Sequence, residues 1–97
     1  MIHSFGDRGT HDVYDGYNTI AARRCCPRKL WPRARAKVTI LNGASALIDL
    51  SSPPGNRFEA LKGDRRGQHS IRLNEQYRIC FIWTDGGPVG VEIVDYH

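Results

Sequence analysis

The chain has 97 residues, of which 40% are hydrophobic and 25% are charged. These proportions are typical of a folded globular domain and exclude a largely disordered chain. No apolar run approaches the ~20 residues that a membrane-spanning helix needs. We therefore expect one domain over residues 1–97 and no membrane partner. Since the first residues lack the order of a signal peptide, we expect a cytoplasmic protein.

Basic side chains are concentrated in one segment. The net charge is +4, and residues 23–37 carry seven basic side chains without an acidic one. Residues 49–97, by contrast, carry six basic and seven acidic side chains. A block of one sign favours an anionic partner, with nucleic acid first. The alternative is a solvated helix face that binds nothing.

The cysteines and histidines predict neither a disulfide framework nor a metal site. Three cysteines, two of them adjacent, fit no CxxC knuckle, and the four histidines show no ligand spacing. We expect reduced cysteines with Cys80 in the core, no metal and no cofactor.

The N-terminal part predicts a short strand and a helix. Residues 1–5 alternate weakly, as a strand does. Asp7 can cap a helix through about Tyr14, which Gly16 ends. Residues 18–26 lack a period and are predicted to be a loop. The helix is expected to bury Val13, Tyr14 and Tyr17.

A second helix is predicted over residues 30–42, ending at Gly43. Its apolar side chains fall within an arc of about 100°, and its basic side chains lie outside that arc. In an interior turn, Pro32 would remove a hydrogen bond and clash, so the regular helix must begin within a turn of Pro32 or kink there. Residues 44–50 resemble one more helical turn. The expected inward side chains are Leu30, Trp31, Ala34, Val38, Leu41, Leu47 and Leu50.

After a turn cluster at 51–56, the period of the pattern changes to two. Short turns at 74–76 and 85–87 join the last three predicted strands into an antiparallel meander. Helices followed by such a meander predict an α+β domain. The predicted strands cover residues 57–61, 68–73, 78–83 and the segment of Val89, Val91 and Ile93.

The last strand is predicted to end in three side chains that can bind or move protons. The imidazole of His97 titrates near neutrality. The carboxylate of Asp95 can orient that imidazole or act as a base, and the Tyr96 phenol can stack on a nucleobase or donate its hydroxyl. Strict alternation puts Asp95 and His97 on one face and Tyr96 on the other. The alternative for a C-terminal histidine is an unstructured tail.

Cations able to hold a phosphate precede this strand. Arg72 and Arg78 flank one tight turn, and Lys62 leads into a glycine-bounded loop. An arginine offers two parallel hydrogen bonds to phosphate, and cations stabilise the charge of a phosphorane. Alternatively, the arginines are cross-strand partners of Glu75 or Glu92.

Residues 61–65 read Leu-Lys-Gly-Asp-Arg, and residues 94–97 read Val-Asp-Tyr-His. Their combination, dense over 49–97, resembles the HigB group of bacterial toxins in the RelE/ParE superfamily. The basic helix matches this group in outline only. Further matching segments are 54–57, 67–68, 70–72, 78–79, Phe81, Trp83 and 91–93.

The resemblance implies an α+β fold of two N-terminal helices packed on a small antiparallel sheet. It also implies a ribosome-dependent endoribonuclease that cuts mRNA in the A site by metal-independent acid–base chemistry and leaves a 2′,3′-cyclic phosphate. Lys62, Asp95, Tyr96 and His97 match the group's active-site residues, and Arg78 matches its phosphate-contacting strand arginine. The other residues that we assign to RNA contact are Arg65, His69 and Arg72. At His69, relatives usually carry an aromatic residue such as tyrosine.

Toxins of this group pair with a helix-turn-helix antitoxin, here HigA-like, and the complex represses its own operon. Ribosome and mRNA are therefore the expected partners, and operator DNA is bound only through the antitoxin complex. Two alternatives stay open. One is a ParE-like toxin that binds DNA gyrase, and the other is a catalytically silent co-repressor that binds the antitoxin.

Overall fold

The computed structural model describes residues 1–96, so the predictions for His97 fall outside the described residues. A helical N-terminal part precedes an antiparallel sheet, which confirms the predicted α+β class. The helices are α1 (Arg8–Asp15), α2 (Ile20–Cys25) and α3 (Trp31–Gly43). The strands are β1 (Glu59–Ala60), β2 (His69–Arg72), β3 (Tyr77–Thr84) and β4 (Gly87–Asp95). Short 3₁₀ turns lie at Arg28–Leu30, Leu47–Ser51, Pro54–Asn56 and Gly63–Arg65.

The sheet has the strand order β1-β2-β3-β4, with antiparallel neighbours throughout. Ile79 on β3 faces Ile71 on β2 and Ile93 on β4. These three side chains are at most 6% exposed and belong to one hydrophobic cluster with residues of α1 and α3. One face of the sheet is therefore the core face, and alternate residues of the strands point to the opposite face.

The predicted first strand is reduced to a single parallel bridge. Phe5 bridges Val91 of β4, and the His3 amide donates to the Pro88 carbonyl at 2.9 Å. The segment thus follows the free edge of β4 without forming a regular ladder.

α1 begins and ends where the sequence predicts. The Asp7 side chain accepts a hydrogen bond from the Thr10 amide at 2.7 Å, and Gly16 ends the helix with a φ of 85°. The predicted burial of Tyr17 is wrong, because its side chain is 60% exposed. Tyr17 follows the left-handed residue, so the helical period no longer sets its direction.

The predicted loop over 18–26 is also wrong, because it contains α2. The Thr19 side chain caps this helix by accepting from the Ala22 amide at 3.0 Å, and Ala22 is fully buried. A Cβ atom at Gly9 would lie 2.6 Å from the Ala21 carbonyl oxygen, so glycine permits the close packing of α1 on α2. A six-residue helix is too short for its period to be recognised and is stabilised by this packing.

The second predicted helix is confirmed as α3. Pro32 lies in its first turn, where an amide would lack an intrahelical partner anyway, so the helix continues for 13 residues without a break. Ala34, Val38 and Leu41 are at most 1% exposed. Across residues 1–96, no helix combines the length and the apolar character required to cross a bilayer.

β1 is shorter than the predicted strand over 57–61. Only Glu59 and Ala60 pair with β2. Arg57 has a φ of 44°, in the left-handed region, which interrupts the extended backbone ahead of the strand.

Candidate functional site

The sheet face opposite the core carries polar side chains. Ser70 and Arg72 flank the core residue Ile71 on β2, and Arg72 faces Arg78 on β3. Because side chains alternate along a strand, Ser70, Arg72 and Arg78 share this face. The two arginines that the sequence predicts to reach one surface therefore lie on adjacent strands.

Arg78 is fixed by bonds to three neighbours. Its Nε donates to the Ser70 hydroxyl at 2.6 Å, and Nη2 donates to the Arg57 carbonyl. Nε also lies 3.5 Å from the Glu59 carboxylate, and only 12% of the Arg78 side chain is exposed. The guanidinium is thus a positioned charge rather than a mobile surface cation.

Tyr96 lies on the Arg78 side of the sheet. The Arg78 Cζ atom is 5.9 Å from the centre of the phenol ring, within the range of a cation–π contact. The Tyr96 amide donates to the Gln76 carbonyl at 2.6 Å, which holds the residue beside the start of β3. The ring is 40% exposed and accessible to a ligand.

Tyr96 and Lys62 line the same pocket. It has a volume of about 320 Å³, and its other lining residues are Glu59, Ala60 and Leu61. Leu61 is buried and anchors the loop, while Lys62 is exposed just before a 3₁₀ turn. An ammonium, a phenol and a carboxylate are therefore brought to one small cavity beside Arg78.

Asp95 lies on the opposite face of the sheet from Tyr96. It faces Tyr77 on β3, and its Oδ2 accepts from the Gln76 side-chain amide at 3.1 Å. Burial, followed by the nearby Asp95 charge, raises the pKa of Tyr77. The pleat that separates Asp95 from Tyr96 in the prediction is therefore present in the fold.

The Arg65 guanidinium is bound to other side chains of the protein. Its Nη1 donates to the Glu92 carboxylate at 2.6 Å and to the Gln68 side-chain carbonyl at 3.1 Å. The bond to Glu92 raises the pKa of the Arg65 guanidinium. Arg65 thus ties the loop that contains Lys62 to β4.

His69 and Arg72 lie apart from the Tyr96 pocket. The His69 ring stacks on Phe58 with ring centres 5.3 Å apart, and its backbone faces Phe81 on the core side. Its Nδ1 is buried without a hydrogen-bond partner among the described residues. Arg72 lines a different pocket, beside α3.

Sequence reasoning missed two side chains that shape the site. Glu59 and Ser70 face each other across β1 and β2, and both contact Arg78. The alternation of Ser70 with Ile71 was a usable signal for a residue on the arginine face. The role of Glu59 depends on the register of a two-residue strand, which no local pattern specifies.

Comparison with models of known protein families shows the family of this chain. The sequence model described as "RelE-like toxin of type II toxin-antitoxin system HigB" matches residues 3–97. The chain belongs to this HigB family of RelE-like toxins. The family suggested by the 61–65 and 94–97 motifs is thereby confirmed.

A named relative agrees with this assignment to the HigB family. The chain is 44% identical over 86 residues to Toxin HigB-1 of Vibrio cholerae serotype O1, covering 89% of this chain and 87% of the relative. It is 30% identical over 59 residues to an uncharacterized protein of Haemophilus influenzae, covering 61% and 58%. A chain of the YoeB–YefM complex from Staphylococcus aureus superposes with a TM-score of 0.60 at 15% identity, covering 100% and 98%. At this identity, the structural likeness shows the fold.

No trio of histidine, cysteine or acidic side chains within residues 1–96 is grouped as a metal site would require. The cationic side chains at the Tyr96 pocket of this HigB-family toxin are Lys62, which lines it, and Arg78, which lies beside Tyr96.

Proposed function

We propose that this HigB-family toxin is a ribosome-dependent endoribonuclease that cuts mRNA in the A site and leaves a 2′,3′-cyclic phosphate. The observation that carries this proposal is the shared pocket of Lys62 and Tyr96 beside the fixed Arg78. Family membership supports the toxin role. A cytoplasmic location follows from the need to reach translating ribosomes.

The reaction requires a base, an acid and positive charge. The base takes the proton of the 2′-hydroxyl, the 2′-oxygen attacks phosphorus, and the departing 5′-oxygen receives a proton from the acid. We assign the acid or base role to His97, and assign Asp95 to orienting that imidazole or serving as the base. Tyr96 stacks on a nucleobase or donates its hydroxyl.

Lys62 and Arg78 are assigned to the charge of the phosphorane. Stabilisation of this kind is greatest when the donors are already in place, because nothing has to reorganise during the reaction. Arg78 meets this condition through its bonds to Ser70 and Arg57. Lys62 is exposed and lines the pocket, so its flexible side chain can follow the phosphate.

The remaining predicted residues receive roles that fit their contacts. Arg72 faces Arg78 and is proposed to contact an RNA phosphate. Arg65 is proposed to position the Lys62 loop through its bond to Glu92. His69 is proposed to support β2 by stacking on Phe58, so its contribution to RNA binding is indirect.

The proposed protein partner is a helix-turn-helix, HigA-like antitoxin, since the family belongs to type II toxin–antitoxin systems. The structural relative YoeB is recorded in complex with YefM. Operator DNA is proposed to be bound by the antitoxin complex rather than by the toxin alone.

The proposal is tested in a translating extract with Lys62→Ala and Tyr96→Phe variants. Loss of one stabilising donor typically lowers kcat by ~10²–10³-fold, so we expect Lys62→Ala to reduce mRNA cleavage by roughly this factor. Tyr96→Phe keeps the ring and removes the hydroxyl, so it separates stacking from donation. Primer extension locates the cuts, and chemical analysis of the 3′ ends detects the cyclic phosphate.

Lys29→Ala is the matched control, because Lys29 is also exposed and lies outside the pocket. Its cleavage rate is expected to equal that of the wild type. The nuclease proposal fails if wild type, Lys62→Ala and His97→Ala leave mRNA equally intact. Growth arrest with gyrase inhibition and DNA damage would replace it with the ParE-like activity.

A further inference from the structure

A second pocket with a cationic lining lies at the end of β2, beside α3. Arg33 and Lys37 lie one helical turn apart on α3 and therefore on the same side of it. They line the pocket together with Arg72, and its volume is about 260 Å³. The other lining residues are Gly55, Leu73 and Asn74, so no acidic side chain contributes to it.

Two of these cations are held in place by hydrogen bonds. Arg33 Nη1 donates to the Leu73 carbonyl at 3.4 Å, and Lys37 Nζ donates to the Asn56 side-chain oxygen. Asn56 is fully buried. Its amide nitrogen donates to the carbonyls of residues 50 and 52 at 3.2 and 3.3 Å, which fixes the side-chain oxygen toward Lys37.

Within residues 1–96, the ion pairs do not include the three pocket cations Arg33, Lys37 and Arg72. Two other members of the basic block make different contacts. Arg28 lies over the Trp31 ring at 5.7 Å, and Arg35 lines a separate pocket beside α1. The block of seven basic residues therefore contributes two of them to one organised site.

We infer that this pocket binds a backbone phosphate of RNA, at a position separate from the cleaved phosphodiester. Arginine forks match phosphate geometry. A pocket below the usual ~300–1,000 Å³ of small-molecule sites suits a phosphate group better than a complete ligand. Arg72 faces Arg78, so positive charge continues from the Tyr96 pocket to α3. This continuity favours RNA over an acidic protein segment, and the inference rests on the proposed function.

The test compares ribosome binding by a pocket variant, Arg33→Gln with Lys37→Gln, across a salt series. The matched control, Arg28→Gln with Arg35→Gln, removes two charges from the same block outside the pocket. The pocket variant is expected to bind roughly tenfold more weakly at low salt, and its slope of log affinity against log salt is expected to fall by about 1. The control is expected to lose less than about threefold, with its slope unchanged.

Arg33→Gln alone serves as the variant least harmful to folding, since it preserves the Lys37 bond to Asn56. Circular dichroism verifies that each variant is folded. In the cleavage assay, the pocket variant should raise KM for ribosomes and leave kcat unchanged.

Three outcomes overturn the inference: equal loss in pocket and control variants, unchanged ribosome binding with lost affinity for the antitoxin, or a wild type that does not bind ribosomes. A wild type that binds ribosomes in the expected manner and leaves mRNA intact overturns the proposed nuclease instead. The binding comparison therefore tests the phosphate pocket, and the cleavage assay tests the nuclease proposal, so either hypothesis can be rejected without the other.

Discussion

Arg78 gains its position from two side chains and one backbone carbonyl. Ser70 and Glu59 belong to β2 and β1, and the Arg57 carbonyl comes from the turn ahead of β1. A charged group with 12% of its side chain exposed needs such partners to offset its desolvation. Because the partners fix the guanidinium, the ring of Tyr96 can lie against it.

Cys25 and Cys26 form a second residue-scale arrangement, although neither lies in the candidate site. A hydrogen bond from the Cys26 thiol lowers the pKa of Cys25. The same bond, with burial, raises the pKa of Cys26. Burial also raises the pKa of Cys80. The prediction that Cys80 lies in the core is confirmed, because Cys80 is fully buried.

We predict that iodoacetamide alkylates Cys25 before Cys26 and Cys80. The thiolate is the reactive form, and a lowered pKa means that Cys25 ionises at a lower pH than an ordinary thiol. Its alkylation rate should therefore rise with pH earlier than that of the other two. Tandem mass spectrometry of the labelled peptide assigns the position. Faster labelling of Cys26 would contradict this order.

At the scale of elements, Thr10 connects α1 to β4. Its hydroxyl accepts a hydrogen bond from the Ile93 amide at 2.9 Å, and the Thr10 side chain is fully buried. The same hydroxyl lies 3.6 Å from the Cys25 sulfur on α2. One polar side chain thus joins two helices to the strand that leads to the candidate site.

Thr10→Val is expected to destabilise the fold by ~1–3 kcal/mol. The change preserves shape but leaves the buried Ile93 amide without its partner, which costs the desolvation of that group. Urea denaturation measures the difference in the free energy of unfolding. Thr39→Val is the control, because the Thr39 hydroxyl bonds within α3 at an exposed position. A control loss as large as that of Thr10→Val would disprove the role of the α1–β4 bond.

At the scale of the whole molecule, one hydrophobic cluster joins the helices and the sheet. It contains Val38 and Leu41 of α3 together with Phe81 and Val91 of the sheet. Trp31 on α3 and Trp83 on β3 pack against the same cluster. Within residues 1–96, the helices and the sheet therefore share this hydrophobic cluster. The single domain over residues 1–97 stays a prediction.

Unfolding is therefore predicted to occur in one transition. Far-UV circular dichroism reports the helices, and tryptophan fluorescence reports both α3 and the sheet through Trp31 and Trp83. If the protein unfolds in one transition, the two signals should change at the same urea concentration. Phe81→Ala should lower the stability by ~3–5 kcal/mol and shift both signals together, because Phe81 is fully buried. Two separated transitions would show that the helical part and the sheet unfold independently.

Local sequence patterns determined most of the helices and strands of this protein. The cap at Asp7, the apolar arc of α3 and the alternation of the meander specify helices and strands through interactions between near neighbours. The alternation also predicted that Asp95 and Tyr96 would lie on opposite faces. The 61–65 and 94–97 motifs identified the family.

Only the tertiary structure decided which residues share a pocket. Lys62 and Tyr96 are 34 positions apart in the sequence, and they meet because the register of β1 on β2 brings the loop beside the end of β4. The same dependence on packing separates His69 from that pocket and brings Arg33 and Lys37 to Arg72. Strand register and packing depend on many weak contacts between segments that are distant in the sequence. The periodicity of a short segment therefore cannot predict which residues share a pocket.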